Sequence, residues 1–354
     1  MAKKKGQPAE PTEDVVGSDN DAETQATVEA DEASADEGEA PGDPAEEGPP
    51  EGLEEEPKRK GPGELFQALI AALESESDAQ QHDRIQAAAQ EYLRQACLGA
   101  AVASTHNVAI LYDENQLIRS DADRIYEAVT RFDPTMDTIL VLYSGGGSIE
   151  AGYLVGKLCR KYAATLKVVV PRNAKSAATL IACAADEIHM GDLSELGPVD
   201  PQIGGHPALG LGNAVEWIAG VVARQPESAP MFADYLSRSL RPIDLGYYDR
   251  VVESAVQYIE RLLAVHADRL ERSPKEIARA LVHDYKDHGF VIDVDEATGI
   301  FGPKTIVSNS AEYQFGNLIY QTLSFIERVC GYYGKKFYWV GSLGRGAAVF
   351  SVKS

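Results

Sequence analysis

Apolar residues from Glu64 to about Cys97 recur every three or four positions, as Leu65, Leu69, Leu73 and then Ile85, Ala89, Tyr92 and Leu93. That is the period of a helix with one buried face, and the polar stretch SESDAQQHD divides it into two helices. The rhythm then changes. VAILYDE, Val108–Glu114, reads as a strand, and SDADRIYEAVTRF as a helix with Ser120 as candidate cap. DTILVLYS, Asp137–Ser144, is a continuous apolar run between turn residues, the pattern of a strand covered on both faces. A GGGS turn, a helix over Ile149–Tyr162, a strand LKVVVPR, a helix over Ser176–Ala185 and a short strand EIHMG follow. Strands alternating with helices predict an α/β fold whose parallel sheet is joined by right-handed crossovers.

Beyond Pro198 and Pro201 the pattern is helical. Trp217, Ile218 and Val221 share one face, while Val252, Val256, Ile259 and Leu263 form a long stripe. Both are expected to pack on the core or on a neighbouring subunit. HGFVIDVDEATGIFG, His288–Gly302, predicts a strand, a turn and a short helix; Phe337–Phe350 fits no simple template. No internal repeat is visible.

Composition divides the chain near residue 60. The first 60 of 354 residues hold 19 acidic and six basic side chains and almost no large apolar ones. Such a segment buries too little apolar surface to offset its conformational entropy, so residues 1–60 are expected to be a disordered acidic tail, a candidate for binding a partner protein. Residues 61–100 are read as a helical segment, 101–330 as the main domain and 331–354 as a C-terminal extension. A net charge of -22 argues against general nucleic-acid binding, which needs clustered cations. No apolar run approaches the ~20 residues of a membrane span, and the N-terminus lacks the apolar core of a signal peptide. A cytoplasmic location is the expectation. Cys97, Cys159, Cys183 and Cys330 show neither CxxC spacing nor nearby histidines in a metal-binding pattern; they are expected to be reduced core thiols.

The glycine turn at 145–147 invites two chemical readings. A dinucleotide site would want an acid at the end of the next strand, where Arg172 and Asn173 stand, and no GKS or GKT completes a P-loop. No nucleotide, metal or other cofactor is therefore expected. In the second reading, glycines let backbone N–H groups face a developing oxyanion. Ser176, opening the helix after the next strand, is then placed beside the turn by the crossover. Ala177 and Ala178 leave room for substrate, and the Ala177 N–H is a further donor.

These residues resemble a known family. SGGGSIEAG is similar to the SPGG-S-V turn of the Clp protease/crotonase superfamily, and KSAATLIACAADEIHMG to the serine-bearing helix of its signal peptide peptidase A branch. With SELGPVDPQI, Ser194–Ile203, the chain most resembles the serine dehydrogenase proteinases, well over Val108–Gly204 and loosely at HGFVI and EATGIFG. The resemblance implies a Clp protease/crotonase-like spiral of β-β-α units with added helices, assembly into a homo-oligomer, and a peptide or unfolded protein as substrate. It also implies Ser176 as nucleophile and the amides of Gly146, Gly147 and Ala177 as oxyanion hole. Gly145 stands where relatives often carry proline. The pyridoxal-phosphate lysine context of a serine dehydrogenase is not visible.

A serine hydroxyl needs a base. Relatives of the signal peptide peptidase type use a lysine downstream of the serine, but no lysine lies between Ser176 and Lys275, and Lys175, adjacent on the chain, does not face Ser176. Clp-type relatives use a histidine and an acid; here Asp200 lies near the expected place of the histidine and His288 near that of the acid. The roles permit the exchange, making His288 the expected base and Asp200 its orienting group. Asp200 before a proline also reads as a turn acid, and His288 before Gly289 as a loop residue. His206 is the alternative base, His189 reads as a buried core imidazole, and His283 and Asp284 as solvent-facing. The expectation is a serine peptidase. A crotonase-type acyl-CoA enzyme and a non-catalytic scaffold are its rivals.

Overall fold

The computed structural model describes residues 59–78, 80–203 and 206–351, with the backbone alone at Ile203, His206, Pro242, Asp244 and Leu245. The acidic stretch expected to be a tail lies, but for Arg59 and Lys60, outside the described residues.

In chain order the elements are α1 (Pro62–Glu74), α2 (Gln81–Ala96), α3 (Ala101–Thr105), β1 (His106–Asp113), α4 (Arg119–Val129), β2 (Asp137–Ser144), α5 (Ile149–Lys161), β3 (Leu166–Val170), β4 (Asn173–Ala174), α6 (Ala177–Ala182), β5 (Glu187–Met190) and β6 (Glu195–Leu196). They continue with β7 (Gln202–Ile203), β8 (His206–Pro207), α7 (Ala208–Arg224), α8 (Ala229–Ser239), α9 (Pro242–Leu263), α10 (Pro274–Arg279), α11 (Val294–Phe301), β9 (Ile306–Ser308), α12 (Ala311–Tyr332), β10 (Lys335–Ser342) and β11 (Arg345–Ser351). The result is a mixed α/β fold around a mostly parallel sheet, in the order β11-β10-β1-β2-β3-β5-β9. Only β10 and β11 run antiparallel to their neighbours in it.

The two-faced burial of β1 and β2 explains their unbroken apolar runs. Ala109, Leu111, Leu140 and Leu142 enter one core with α5, α6, α9 and α11. Their sequence neighbours Val108, Ile110, Tyr112, Ile139, Val141 and Tyr143 enter a second core, built with α1, α2, α12 and β10. Phe337–Phe350, which fits no template in the sequence, supplies β10 and β11. Trp339 and Phe337 of β10 lie in the second core, and β10 pairs with β1 through Ala109–Ser342 and Tyr112–Trp339.

Two local expectations change. The helix expected to open at Ser120 starts at Arg119, and the carboxylate of Asp121 accepts the Ile118 N–H at 2.9 Å; Ser120 lies inside the helix. HGFVI is not a strand: the Asp287 carboxylate and carbonyl accept the N–H groups of Gly289 and Phe290, bending the chain. Only Ile292 bridges to Leu196. The four cysteines are buried and unpaired, and burial pushes the thiols of Cys97, Cys159 and Cys330 up to about 12.

The stripe on α9 packs inward, with Val252, Val256, Ile259 and Leu263 buried. The apolar face of α7 does not: Ala208 is its one buried residue, α8 has none, and Trp217, Met231 and Tyr235 stand 62–64% exposed.

After α9 the chain kinks at His266, whose ring is buried and whose two nitrogens find no partner among the described residues. Burial pulls its pKa below the ordinary 6.5, and that of His189 likewise. The unfolded chain therefore binds more protons than the folded one below about pH 6.5. Stability from keeping these rings neutral is full above that pH and is lost as pH falls through the folded-state value. Melting temperatures should drop between about pH 7 and pH 5, and His266→Leu should flatten the drop. An equally steep drop in the variant would show that His266 is not its source.

Candidate active site

β2 delivers Ser144 to a turn in which Gly146 and Gly147 leave no room for a side chain. Gly146 has φ +99, and a Cβ there would lie 2.7 Å from the Lys175 carbonyl oxygen and 2.9 Å from the Ser176 Cβ. Gly147 has φ +153, and a Cβ there would overlap the Leu117 backbone. Leu117 locks the turn as a one-residue strand: its N–H donates to the Gly146 carbonyl and its carbonyl accepts from Ser148, each at 2.9 Å. Ser148 then caps α5, its Oγ accepting from the Ala151 N–H. Gly145 is different, since a Cβ there would meet nothing closer than 4.0 Å. Gly147→Ala is expected to cost roughly 1–3 kcal/mol of backbone strain, and Gly145→Ala less than about 0.5 kcal/mol. Paired thermal melts check this; equal melting points would refute the turn argument.

The same strand register carries Ser176 to the turn. Ser144 pairs with Ala174 of β4, and the Lys175 N–H donates to the Ser144 carbonyl at 3.0 Å. Ser176 takes φ 52 and ψ -117, a conformation costly for any residue but glycine. Its hydroxyl does not cap α6 and bonds to none of the described residues. Small residues let α6 sit this close: Gly152 of α5 packs on the Ala177 carbonyl and Gly156 on Ala184. Thr179 Oγ1, 2.7 Å from the carbonyls of Ala174 and Gly197, accepts the Gly197 N–H and fixes α6 from below.

The amides at the turn are not equivalent. The Gly146 N–H donates to Ser144 Oγ at 3.1 Å. Those of Gly147 and Ala177 have no acceptor among the described residues, and the Ala177 nitrogen lies 3.2 Å from where a Gly146 Cβ would stand. Ala177 also begins a helix, where backbone N–H groups are unpaired and favour negative charge.

Ser176, Gly145–Ser148 and His288 border one cleft of about 620 Å³, with Pro201 and Gln202 beside them and Tyr247, Val251, Ser254 and Tyr258 of α9 above. Asp200 lies behind His288, its Oδ2 3.7 Å from His288 Nδ1. Among the described residues, buried Asp200 Oδ1 and His288 Nδ1 lack hydrogen bonds, and the Asp200 carboxylate receives a long contact from Gln202 at 3.5 Å. Lys175 turns away, its Nζ on Glu195 at 3.2 Å and on the Phe290 carbonyl at 3.2 Å, so it anchors the His288 loop. His189 sits on β5 against Ser310, 2.7 Å away, and His283 and Asp284 are exposed. The side chain of His206 is outside the described residues. Sequence reasoning missed the Leu117 bridge and the cleft-lining tyrosines of α9; Tyr258, stacked on Tyr153 at 4.5 Å, carries no local pattern that would mark it.

Comparison with known proteins covers this region. The model of the ClpP-like SDH-type serine proteinases matches residues 115–223. Two uncharacterized proteins of Methanocaldococcus jannaschii are similar. MJ0137 is 28% identical over 177 residues, 50% of this chain and 56% of that one. MJ1495 is 35% identical over 91 residues, 26% of this chain and 31% of that one. The matches thus span about half of one relative and a third of the other. Among solved structures, a mutant of the 1510-N membrane-bound stomatin-specific protease aligns with TM-score 0.37 at 15% identity, covering 57% of this chain and 80% of that one. A ClpP1 mutant from Listeria monocytogenes aligns with TM-score 0.35 at 16% identity, covering 58% and 94%. Residues 115–223, which run from the loop before Leu117 across the glycine turn and Ser176 into α7, are thus the stretch over which the chain is similar to the ClpP-like SDH-type serine proteinases.

Proposed function

We propose that the chain hydrolyses peptide bonds through an acyl-enzyme on Ser176. The observation that carries this reading is the uncommitted Ser176 hydroxyl, held at positive φ against the glycine turn, with the amides of Gly147 in that turn and of Ala177 at the start of α6 unpaired among the described residues. His288 takes the Ser176 proton as the oxygen attacks the peptide carbonyl, and Asp200 holds the imidazole by Nδ1. The Asp200–His288 contact of 3.7 Å shortens to a hydrogen bond when substrate is bound, as catalytic contacts of free enzymes do. The amides of Gly147 and Ala177 receive the oxyanion, each supplying ~3 kcal/mol in the transition state. Gly146, its N–H held by Ser144, serves by leaving the space over Ser176 empty. His288 then protonates the leaving amine, and water, deprotonated by the same imidazole, releases the acyl group.

The cleft under α9 suits an extended chain, so the substrate is a peptide or an unfolded protein. The apolar surface of α7 and α8 is proposed as the contact of a homo-oligomer, since exposed apolar patches of this kind mark association sites.

Unfolded casein incubated with the protein in ¹⁸O-water tests the reaction. New C-termini carrying the heavy oxygen are expected. Intact casein, together with turnover of an acyl-CoA thioester, would reject peptide hydrolysis in favour of crotonase-type chemistry.

A further inference from the structure

We infer that the groove along the free edge of β11 binds an extended acidic peptide as an added strand. β11 pairs with β10 alone, and among the described residues no strand pairs with its other edge. An open edge presents a row of unpaired N–H and C=O groups, and proteins ordinarily blunt it with proline, charged side chains or a covering element. Arg345–Ser351 contains no proline, and its single charged residue is Arg345 at the first position, leaving Gly346–Ser351 uncharged. Instead a groove of about 670 Å³ runs beside Arg345–Phe350, with α2 as one wall and α4 as the other. A strand seated ~4.8 Å from β11 would lie between those two helices.

The walls indicate what that strand carries. Side chains of an added strand alternate between the two walls. On the α4 side stand Arg124 and Arg131, with Arg345 at the head of β11, against the single carboxylate of Glu127. Arg124 is partly engaged, by Asp121 at 3.4 Å and by the Tyr338 hydroxyl at 2.6 Å. Arg131 and Arg345 have no ion-pair partner among the described residues and are exposed. On the α2 side the groove meets Gln86 and Gln90, one turn apart, whose amides donate and accept equally. Acidic residues at alternate positions, with neutral ones between, complement this slot. The chain as a whole carries -22, so its overall field repels such a peptide and only a local cationic site would retain it. The inference is independent of the chemistry at Ser176.

The probe is a fluorescein-labelled heptapeptide alternating glutamate and threonine, titrated by fluorescence polarisation. Saturable binding is expected for it and none for the lysine-threonine counterpart. One edge of the peptide faces β11, so N-methylation of the amides on that edge should abolish binding, while N-methylation of the opposite edge should leave it. Arg131→Glu combined with Arg345→Glu should weaken binding about tenfold or more. The N-methylated pair is read on the unaltered chain, so it remains decisive if the double variant fails to fold. No saturable binding, equal binding of both N-methylated isomers, or unchanged affinity in a folded double variant would each overturn the inference.

Discussion

Ser176→Ala is expected to lower peptide hydrolysis by roughly 10⁶-fold, to what the oxyanion donors and binding alone provide. The variant removes one oxygen and leaves the backbone to be held as before, by the Lys175 and Ala178 hydrogen bonds on either side. Because alanine tolerates φ 52 no better than serine, the melting temperature should stay within the range of an ordinary surface substitution. A large loss of rate with an unchanged melt assigns the effect to chemistry. Hydrolysis that survives at more than a hundredth of its original rate would remove Ser176 from the mechanism.

The second large effect is expected at His288. His288→Ala removes the base, which contributes about 10²–10⁴-fold in rate, while the glycine turn and Ser176 are untouched. Asp200→Asn should approach the upper end of that range, because an amide in place of the carboxylate favours the wrong imidazole tautomer. The buried, unpaired Asp200 Oδ1 and His288 Nδ1 give the comparison its force: if the two groups act as one unit, the double variant loses little more than either single one. Losses that multiply would mean that Asp200 and His288 act separately. Lys175→Met makes a useful contrast. It frees the loop at Phe290 and should weaken catalysis through the placement of His288, with recovery expected in Lys175→Arg.

The sequence made the centre of this fold legible because its central strands are buried on both faces and are apolar in unbroken runs between polar ends. Val108–Asp113 and Asp137–Ser144 say so without ambiguity, and a strand, glycine turn and small-residue helix can be ordered in space from crossover handedness alone. The placement of Ser176 against the turn follows from that order. What the sequence hides depends on partners far along the chain. Phe337–Phe350 becomes a hairpin because β1 offers a free edge, a fact no local pattern contains. HGFVI has the composition of a strand, yet the Asp287 carboxylate bends it first, leaving only Ile292 to pair. Ser120 is a good capping residue that Asp121 displaces by reaching back to Ile118. The alternative base His206 lies outside the described side chains, and the acidic stretch read as a tail lies almost wholly outside the described residues.

The residues that close the cleft were the least readable. Tyr247 and Tyr258 come from α9, about 100 residues beyond the glycine turn, on a helix whose opposite face reads as an ordinary core stripe. Leu117 stands in a polar loop and acts through its backbone, which a side chain does not advertise.

Intact-mass measurement after treatment with a fluorophosphonate tests the central claim most directly, since this reagent requires both an activated serine and an oxyanion site. One adduct per chain is expected, mapping to the peptide that contains Ser176, absent in Ser176→Ala and strongly diminished in His288→Ala. An unmodified chain, or an adduct that persists in Ser176→Ala, would contradict it.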